Sequence, residues 1–374
     1  MKKKVIIYYP FTLIKNQTSG SKVRPLKILN AFKNMAEECG LEIIEISGTI
    51  TERKKQLKLI YSFENPNNIL FCYMENSTLP IWLTDRDHVP RAPFMELNFF
   101  RYLNHNSIPL GVFYRDAYWK FDNEYVFKGI KRSIMRLIYS VELKLLSKYA
   151  SHVFLPSKQM NNYLNLNNNL VSSLPPAAEK SAEKSSTYKD SVTETTNLVY
   201  VGGINDRYGL KEMLEAVDIV NNTKVEVYLH LVCRRHEYLQ QIKLIQKYLN
   251  KEWLKIYHAF ENELEEIYIK ADFGIIGLKK NIYNDFAVPV KLFEYISYCL
   301  PVVATSCNAQ AEIIRNEQLG IVTEDNSDSL AEGILEMLDP DKRKEYKKNV
   351  EDALLKHHLW EHRVEQIYST LVKD

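Results

Sequence analysis

LVYVGGINDRYGLKEMLEAVDIV, residues 198–220, decides the architecture. Leu198–Val201 is an apolar run of strand length, Gly202 and Gly203 break it, and Leu210–Val220 carries a helical apolar pattern. A strand, a glycine turn and a helix in that order make the first half of a crossover between parallel strands. Toward the C-terminus the alternation continues. Further strands are expected at Val225–Val232, Leu254–His258, Phe273–Gly277, Val302–Thr305 and Gly320–Thr323. Helical patterns separate them at Tyr238–Tyr248, Glu263–Lys270, Pro289–Cys299 and Leu330–Leu338. Toward the N-terminus a second series reads Val5–Tyr9, Glu42–Ile46, Ile69–Tyr73, Leu110–Tyr114, His152–Leu155 and Leu170–Leu174. Between its first two strands, Ile28, Leu29, Phe32, Met35, Ala36 and Cys39 recur at helical spacing, with Pro25 expected in the first turn and Gly40 at the end. Two such series imply an α/β protein with two Rossmann-like domains, each an open parallel sheet between helices.

The stretch 175–197, PPAAEKSAEKSSTYKDSVTETTN, has almost no large apolar side chains and cannot bury enough surface to offset ordering entropy. The expected organisation is therefore a first domain over 1–174, a linker over 175–197, a second domain over 198–355 and a final amphipathic helix over 356–374. Ligands of open α/β sheets bind beyond the carboxyl ends of the strands, so the cleft between the domains is the expected site.

Composition narrows the classes. The chain has 374 residues, 45% hydrophobic and 26% charged, the balance of a globular protein with room for two domains. A net charge of +2 does not argue for nucleic acid. Cys39, Cys72, Cys233, Cys299 and Cys307 are odd in number and form no metal-binding or C-x-x-C spacing, which suits reduced core thiols in a reducing compartment. Lys2–Lys4 followed by Val5–Tyr9 imitates an export signal. Pro10 breaks the run and no small-residue cleavage site follows, so a buried strand is expected instead. No run of about 18 apolar residues suggests a membrane span. The expected location is the cytoplasm.

Three segments carry candidate chemistry. Thr18-Ser19-Gly20-Ser21, followed by Arg24 and Pro25, places a glycine and a helix N-terminus where phosphate can approach, with Arg24 as a charged fork. The alternative is a polar loop capped by Ser21. Gly202-Gly203-Ile204-Asn205-Asp206-Arg207 follows a strand and opens a helix, the place for a phosphate-binding turn. Its glycines do not make a dinucleotide fingerprint, and a tight turn with a solvated arginine is the alternative. In Val288-Pro289-Val290-Lys291-Leu292-Phe293-Glu294-Tyr295, a proline starts a helix bearing Lys291 and Glu294 one turn apart. Lys291 and the unpaired N–H groups at Val290–Leu292 suit a diphosphate, and Glu294 suits two ribose hydroxyls. A surface Lys/Glu pair is the alternative, worth a few tenths of a kcal/mol.

Tyr200 to Leu338 resembles the second domain of the large retaining glycosyltransferase family often marked by E-x7-E. The likeness rests on Arg207 after a glycine turn, Pro289 to Tyr295, Pro301 to Ala304, and Glu312 to Ile314. Trp360 resembles the tryptophan of the tail that crosses back to the first domain in these twin-Rossmann (GT-B) folds. The resemblance implies that Glu294 is the second glutamate of the motif and binds the donor ribose. Phe286 stands where the first would be, with Asp285 adjacent. It points also to Asp116, after the strand at Leu110–Tyr114, as the catalytic residue that faces the donor sugar and orients its hydroxyls or stabilises positive charge at the anomeric carbon. Capping of a turn is the alternative for Asp116.

The expected donor-binding set is thus Gly20, Ser21, Gly203, Arg207, Val290, Lys291, Leu292 and Glu294. The expected reaction is retaining hexosyl transfer from a nucleotide sugar, UDP-linked, to a saccharide, lipid-linked or protein acceptor, in the building of cell-surface polysaccharide or glycoconjugate. No cofactor and no metal are expected. A nucleotide-sugar epimerase, or a degenerate transferase serving as a partner protein, are the rival readings. Lys128, Lys131, Arg132, Arg136, Lys144 and Lys148, interleaved with Ile130, Ile134, Leu137, Ile138, Val141, Leu145 and Leu146, form a basic amphipathic stretch. It suits either the inner face of a membrane or a core stripe with a solvated lysine face.

Overall fold

Parallel strands covered on both faces read as near-continuous apolar runs, and the central strands here do, as in Leu198–Val201 and Phe273–Ile276. In the second sheet Leu198 and Tyr200 turn to one core, whereas Val199 turns to another. Phe273 and Ile275 join the first core and Ile276 the second. This alternation follows from the two-residue period of a strand.

The computed structural model describes residues 2–14, 20–180, 195–223, 226–260 and 262–372. Twelve strands are found among them: β1 (Lys4–Tyr8), β2 (Glu42–Ile46), β3 (Ile69–Glu75), β4 (Leu110–Phe113), β5 (His152–Leu155), β6 (Val171–Ser173), β7 (Thr196–Val201), β8 (Val227–Val232), β9 (Leu254–Tyr257), β10 (Phe273–Ile276), β11 (Val302–Thr305) and β12 (Gly320–Thr323). They form two six-stranded sheets, ordered β2-β1-β3-β4-β5-β6 and β12-β11-β10-β7-β8-β9. Every pairing is parallel. The order reverses between β1 and β3 in one sheet and between β7 and β10 in the other. Such switch points are where open sheets leave a crevice at the strand ends.

The chain divides into two compact units. One comprises Met1–Pro176 with Trp360–Asp374, and the other Ala177–Leu359. The helix Trp360–Leu371 thus belongs to the first unit. Leu371 occupies the space that a side chain at Gly111 of β4 would fill, and Tyr368 meets Phe71 of β3 edge-on with centroids 5.9 Å apart. Arg363 donates from Nε to the carbonyl of Pro175 at 3.1 Å. A π-helical turn, Leu354–His358, precedes this helix. Ala178 N donates to the His358 carbonyl at 2.7 Å, which holds the two ends of the second unit together. The central part of the expected linker, 181–194, lies outside the described residues.

Three expectations change. The first helix runs Gly20–Cys39, so Pro25 lies inside it rather than in its first turn. A proline this near the start forfeits only the bond to the carbonyl four residues back. The stretch Tyr238–Tyr248 is not one helix. It holds two short ones, Arg235–Gln240 and Ile242–Ile245, because Gln241 leaves helical geometry. Cys39 is exposed, while Cys72, Cys233, Cys299 and Cys307 are buried. Among the described residues no helix is long and apolar enough to cross a membrane.

Candidate functional site

The second unit's switch point gathers the candidate residues. β7 ends at Val201, and Gly202 follows with φ +130°, a conformation that favours glycine. A side chain there would meet Lys291 Nζ at 3.1 Å, so the missing Cβ is what lets the ammonium lie against the backbone. Asn205 accepts from Arg207 N at 3.2 Å and shapes the turn Asp206–Tyr208. Gly209 closes it at φ +66°, and a Cβ there would fall 1.9 Å from the Gly277 carbonyl. The loop after β7 is thereby pressed against the end of β10. Lys279 N completes the seam by donating to the Arg207 carbonyl at 3.0 Å.

Arg207 is held rather than solvated. Its Nε donates to Asn284 Oδ1 at 3.0 Å, and its guanidinium lies 4.2 Å from the Tyr283 ring centroid. Asn284 is fully buried and donates in turn to the Lys279 carbonyl at 2.7 Å. Asn284 and Tyr283 sit on the short helix Ile282–Phe286, whose N-cap Asn281 accepts from Asn284 N at 2.8 Å.

Pro289 starts the helix Val290–Ser297, and no side chain caps it. Leu292 N donates to the Pro289 carbonyl at 3.2 Å, and the Val290 and Lys291 amides ahead of it have no acceptor four residues back, so the helix start offers partial positive charge to an anion. Lys291 stands in that turn. Its ammonium lies 3.8 Å from the Tyr200 ring centroid and 5.1 Å from that of Tyr208. Lys291 Nζ is buried and has no hydrogen-bond partner among the described residues. Burial holds its pKa down to about 7, although the nearby charges of Glu294 and Glu237 act the other way. Glu294, one turn on, accepts from the Tyr268 hydroxyl at 3.1 Å. Burial pushes its carboxyl above the usual range, against the pull of Tyr268 and Lys291. The exposed Lys/Glu pair considered from spacing is not what the structure shows: the two charges do not bond, and each is desolvated separately.

Phe286, where the first glutamate of the motif would stand, is buried. Asp285 accepts from Asn308 N at 3.2 Å, at the start of the helix Asn308–Asn316.

The first unit has its own polar cluster at the ends of β3 and β4. Arg24 does not present a fork to solvent: it is buried, with Nε 3.1 Å from Glu75 Oε1 and its guanidinium 3.8 Å from the Phe113 ring centroid. The carboxylate is why. Glu75 is itself fully buried, takes the Tyr73 hydroxyl at 2.9 Å and Arg115 at 3.4 Å, and needs that positive charge. Arg115 N donates to Asn76 Oδ1 at 2.7 Å, which fixes the loop carrying Asp116. Asp116 is half-buried, and its Oδ1 accepts from Tyr118 N at 3.0 Å. This local bond orders the entry to the turn Tyr118–Lys120, whose cap position is Ala117. Gly20 and Ser21 lie in the first turn of the helix Gly20–Cys39; Thr18 and Ser19 lie outside the described residues.

Sequence reasoning did not find Asn284, Tyr283, Tyr200 or Tyr268. The Asn281/Asn284 spacing is a legible N-cap signal. Nothing in the sequence ties Asn284 to an arginine 77 positions earlier. Among the described residues no group of three or more His, Cys, Asp or Glu side chains is arranged to hold a metal ion.

Residues 195–340 match the family model described as Glycosyl transferases group 1. No curated protein sequence matches the chain. By structure it is similar to sucrose-phosphate synthase from Thermosynechococcus elongatus, with 14% identity, a TM-score of 0.66, and 98% of this chain and 97% of that one covered. A glycosyltransferase from Rickettsia africae is similar at 14% identity and a TM-score of 0.64, with 100% and 99% covered. HepE from Anabaena, solved in complex with UDP-glucose, is similar at 12% identity and a TM-score of 0.60, with 98% and 99% covered. The structural likenesses show the twin-Rossmann GT-B fold, and the match to the group 1 family model lies within the second unit.

Proposed function

We propose that the chain transfers a hexosyl group from a UDP-sugar to a saccharide, lipid-linked or protein-linked acceptor, with retention at the anomeric carbon. One observation carries this reading: a buried lysine ammonium, without a hydrogen-bond partner among the described residues, lies against glycine backbone beside a helix N-terminus that no side chain caps. An unpaired buried charge is costly, and a site that keeps one is built for an opposite charge that arrives later. Lys291, Arg207, Gly203 and the amides of Val290–Leu292 bind the donor diphosphate. Glu294 accepts hydrogen bonds from the ribose hydroxyls. When the bond from the anomeric carbon to the diphosphate breaks, the leaving oxygen gains negative charge, which Lys291 and Arg207 stabilise without a metal ion. Asp116 is the proposed catalytic residue, acting on the sugar, and Gly20 and Ser21 are proposed donor-binding residues. The group 1 domain supports glycosyl transfer, and the UDP-glucose complex of HepE supports the choice of donor.

Buried Phe286 favours a second reading, a donor-binding partner protein without turnover, because no carboxylate at that position can contact the sugar. An epimerase has no such observation behind it. The test is a screen of nucleotide sugars for thermal stabilisation, followed by product analysis with the best binder. Binding at about 100 Kd adds roughly 2.7 kcal/mol. Binding with transfer or slow hydrolysis supports the enzyme, binding without any turnover supports the partner, and no binding by any nucleotide sugar rejects both.

A further inference from the structure

The helix Gly129–Tyr149 of the first unit has two apolar faces. Tyr139, Leu143 and Leu146 form one, and they are buried in the unit. At about 100° per residue, Ile130, Ile134, Leu137 and Val141 fall within about 60° of one another on the opposite side. They are 81%, 54%, 64% and 48% exposed, and Val126 just ahead of the helix is 84% exposed. The row is about 16 Å long. A soluble surface rarely leaves a contiguous aliphatic row uncovered.

The charge beside the row has one sign. Lys128, Lys131, Lys144 and Lys148 are exposed, and Lys144 and Lys148 continue the row toward the helix end. The helix carries one carboxylate, Glu142, which is buried and accepts from Ile81 N at 2.9 Å. Arg132 and Arg136 play no part in this surface. They hold Asp122 at 2.7 Å and 2.8 Å, and Arg136 also donates to the Trp119 carbonyl at 2.8 Å. The basic character expected along this helix therefore divides into two arginines that anchor a loop and four lysines that frame the apolar row.

We infer that this face docks on an anionic lipid bilayer, with Ile130, Ile134, Leu137 and Val141 in the acyl boundary and the lysines among the headgroups. Apolar burial and electrostatic attraction then act on the same element. A second copy of this chain fits the face poorly. Two-fold pairing would set the same lysines against each other with no exposed carboxylate on the helix to meet them.

The test is co-sedimentation of the full chain with phosphatidylcholine vesicles, with and without phosphatidylglycerol. It needs no sugar donor, so its result is independent of the transferase reading. The expected result is binding to anionic vesicles alone, weakened by salt. Each lysine near such a surface contributes about fivefold, so Lys144→Glu with Lys148→Glu should weaken binding by more than about 25-fold. Ile134→Ser with Leu137→Ser should weaken it by at least about tenfold. All four positions are exposed, so the melting temperature should not move. Absence of binding at low salt, or binding indifferent to both pairs, overturns the inference. So does a solution dimer that the serine pair dissociates, since a second copy would then cover the face.

Discussion

Lys291→Met separates the two things Lys291 is held to do. The substitution keeps an unbranched stem and removes the ammonium. Depression of the lysine pKa from 10.5 to about 7 means that burying the charged form costs on the order of 5 kcal/mol, at ~1.4 kcal/mol per tenfold. The side chain as a whole is only partly buried, so solvent screening reduces the realised cost to about half or less. The variant without ligand should therefore be more stable than the natural chain at pH 6, by about 1–3 kcal/mol or roughly 3–10 °C for a unit of this size. The sign follows from proton counting. Between pH 7 and the ordinary lysine range, the unfolded chain keeps a proton that the folded chain has lost, so natural-chain stability rises with pH there. The advantage of methionine is full below pH 7 and shrinks toward pH 10. The same variant should bind nucleoside diphosphate about 10- to 150-fold more weakly, the loss of one charged hydrogen bond. Thermal melts at pH 6 and pH 9, with calorimetric titration of the diphosphate, measure both effects. A variant no more stable than the natural chain at pH 6 would refute the claim that the ammonium is buried unpaired.

Three further outcomes are expected. Glu294→Gln keeps an acceptor for the Tyr268 hydroxyl and loses the charge, so it should weaken nucleotide binding about tenfold with little change in the unliganded melt; Glu294→Ala should weaken binding about 10- to 150-fold. Unchanged affinity in calorimetry would make Glu294 structural. Asp116→Asn retains the oxygen that accepts from Tyr118 N and should lower turnover at least about tenfold, ~1.4 kcal/mol of barrier, while nucleotide affinity holds; full turnover in a product assay would leave Asp116 with this local bond alone. Affinity for an intact nucleotide sugar should fall about 25-fold from pH 6.5 to pH 8.5, because binding must reprotonate Lys291, and Lys291→Met should abolish the dependence. A flat profile in the natural chain, measured by titration at several pH values, counts against Lys291 as the diphosphate ligand.

Strand positions were legible because buried parallel strands are nearly continuous apolar runs, and every expected strand lies within two residues of an observed one. Local chemistry was legible in the same way: Pro289 starts the helix that carries Lys291 and Glu294 one turn apart. What failed was non-local. Arg24 looked available for a ligand because its partner, Glu75, comes from a strand 51 positions later. The alternative of a solvated Arg207 fails because Asn284 and Tyr283 arrive on the helix Ile282–Phe286, some 77 positions later for Asn284. The burial of Lys291 depends on Gly202, Tyr200 and Tyr208 together, and spacing on one helix cannot report that.

The central claim is that the second unit holds a donor diphosphate between Arg207, Lys291 and the helix start at Val290. Calorimetric titration of the natural chain, Arg207→Ala and Lys291→Ala with the nucleoside and with its diphosphate tests it most directly. The account predicts that the diphosphate binds the natural chain at least about 100-fold more tightly than the nucleoside, as two charged contacts require. Each substitution should remove about tenfold or more of that difference and leave nucleoside affinity almost unchanged. Equal losses for nucleoside and diphosphate, or no preference for the diphosphate in the natural chain, would contradict it.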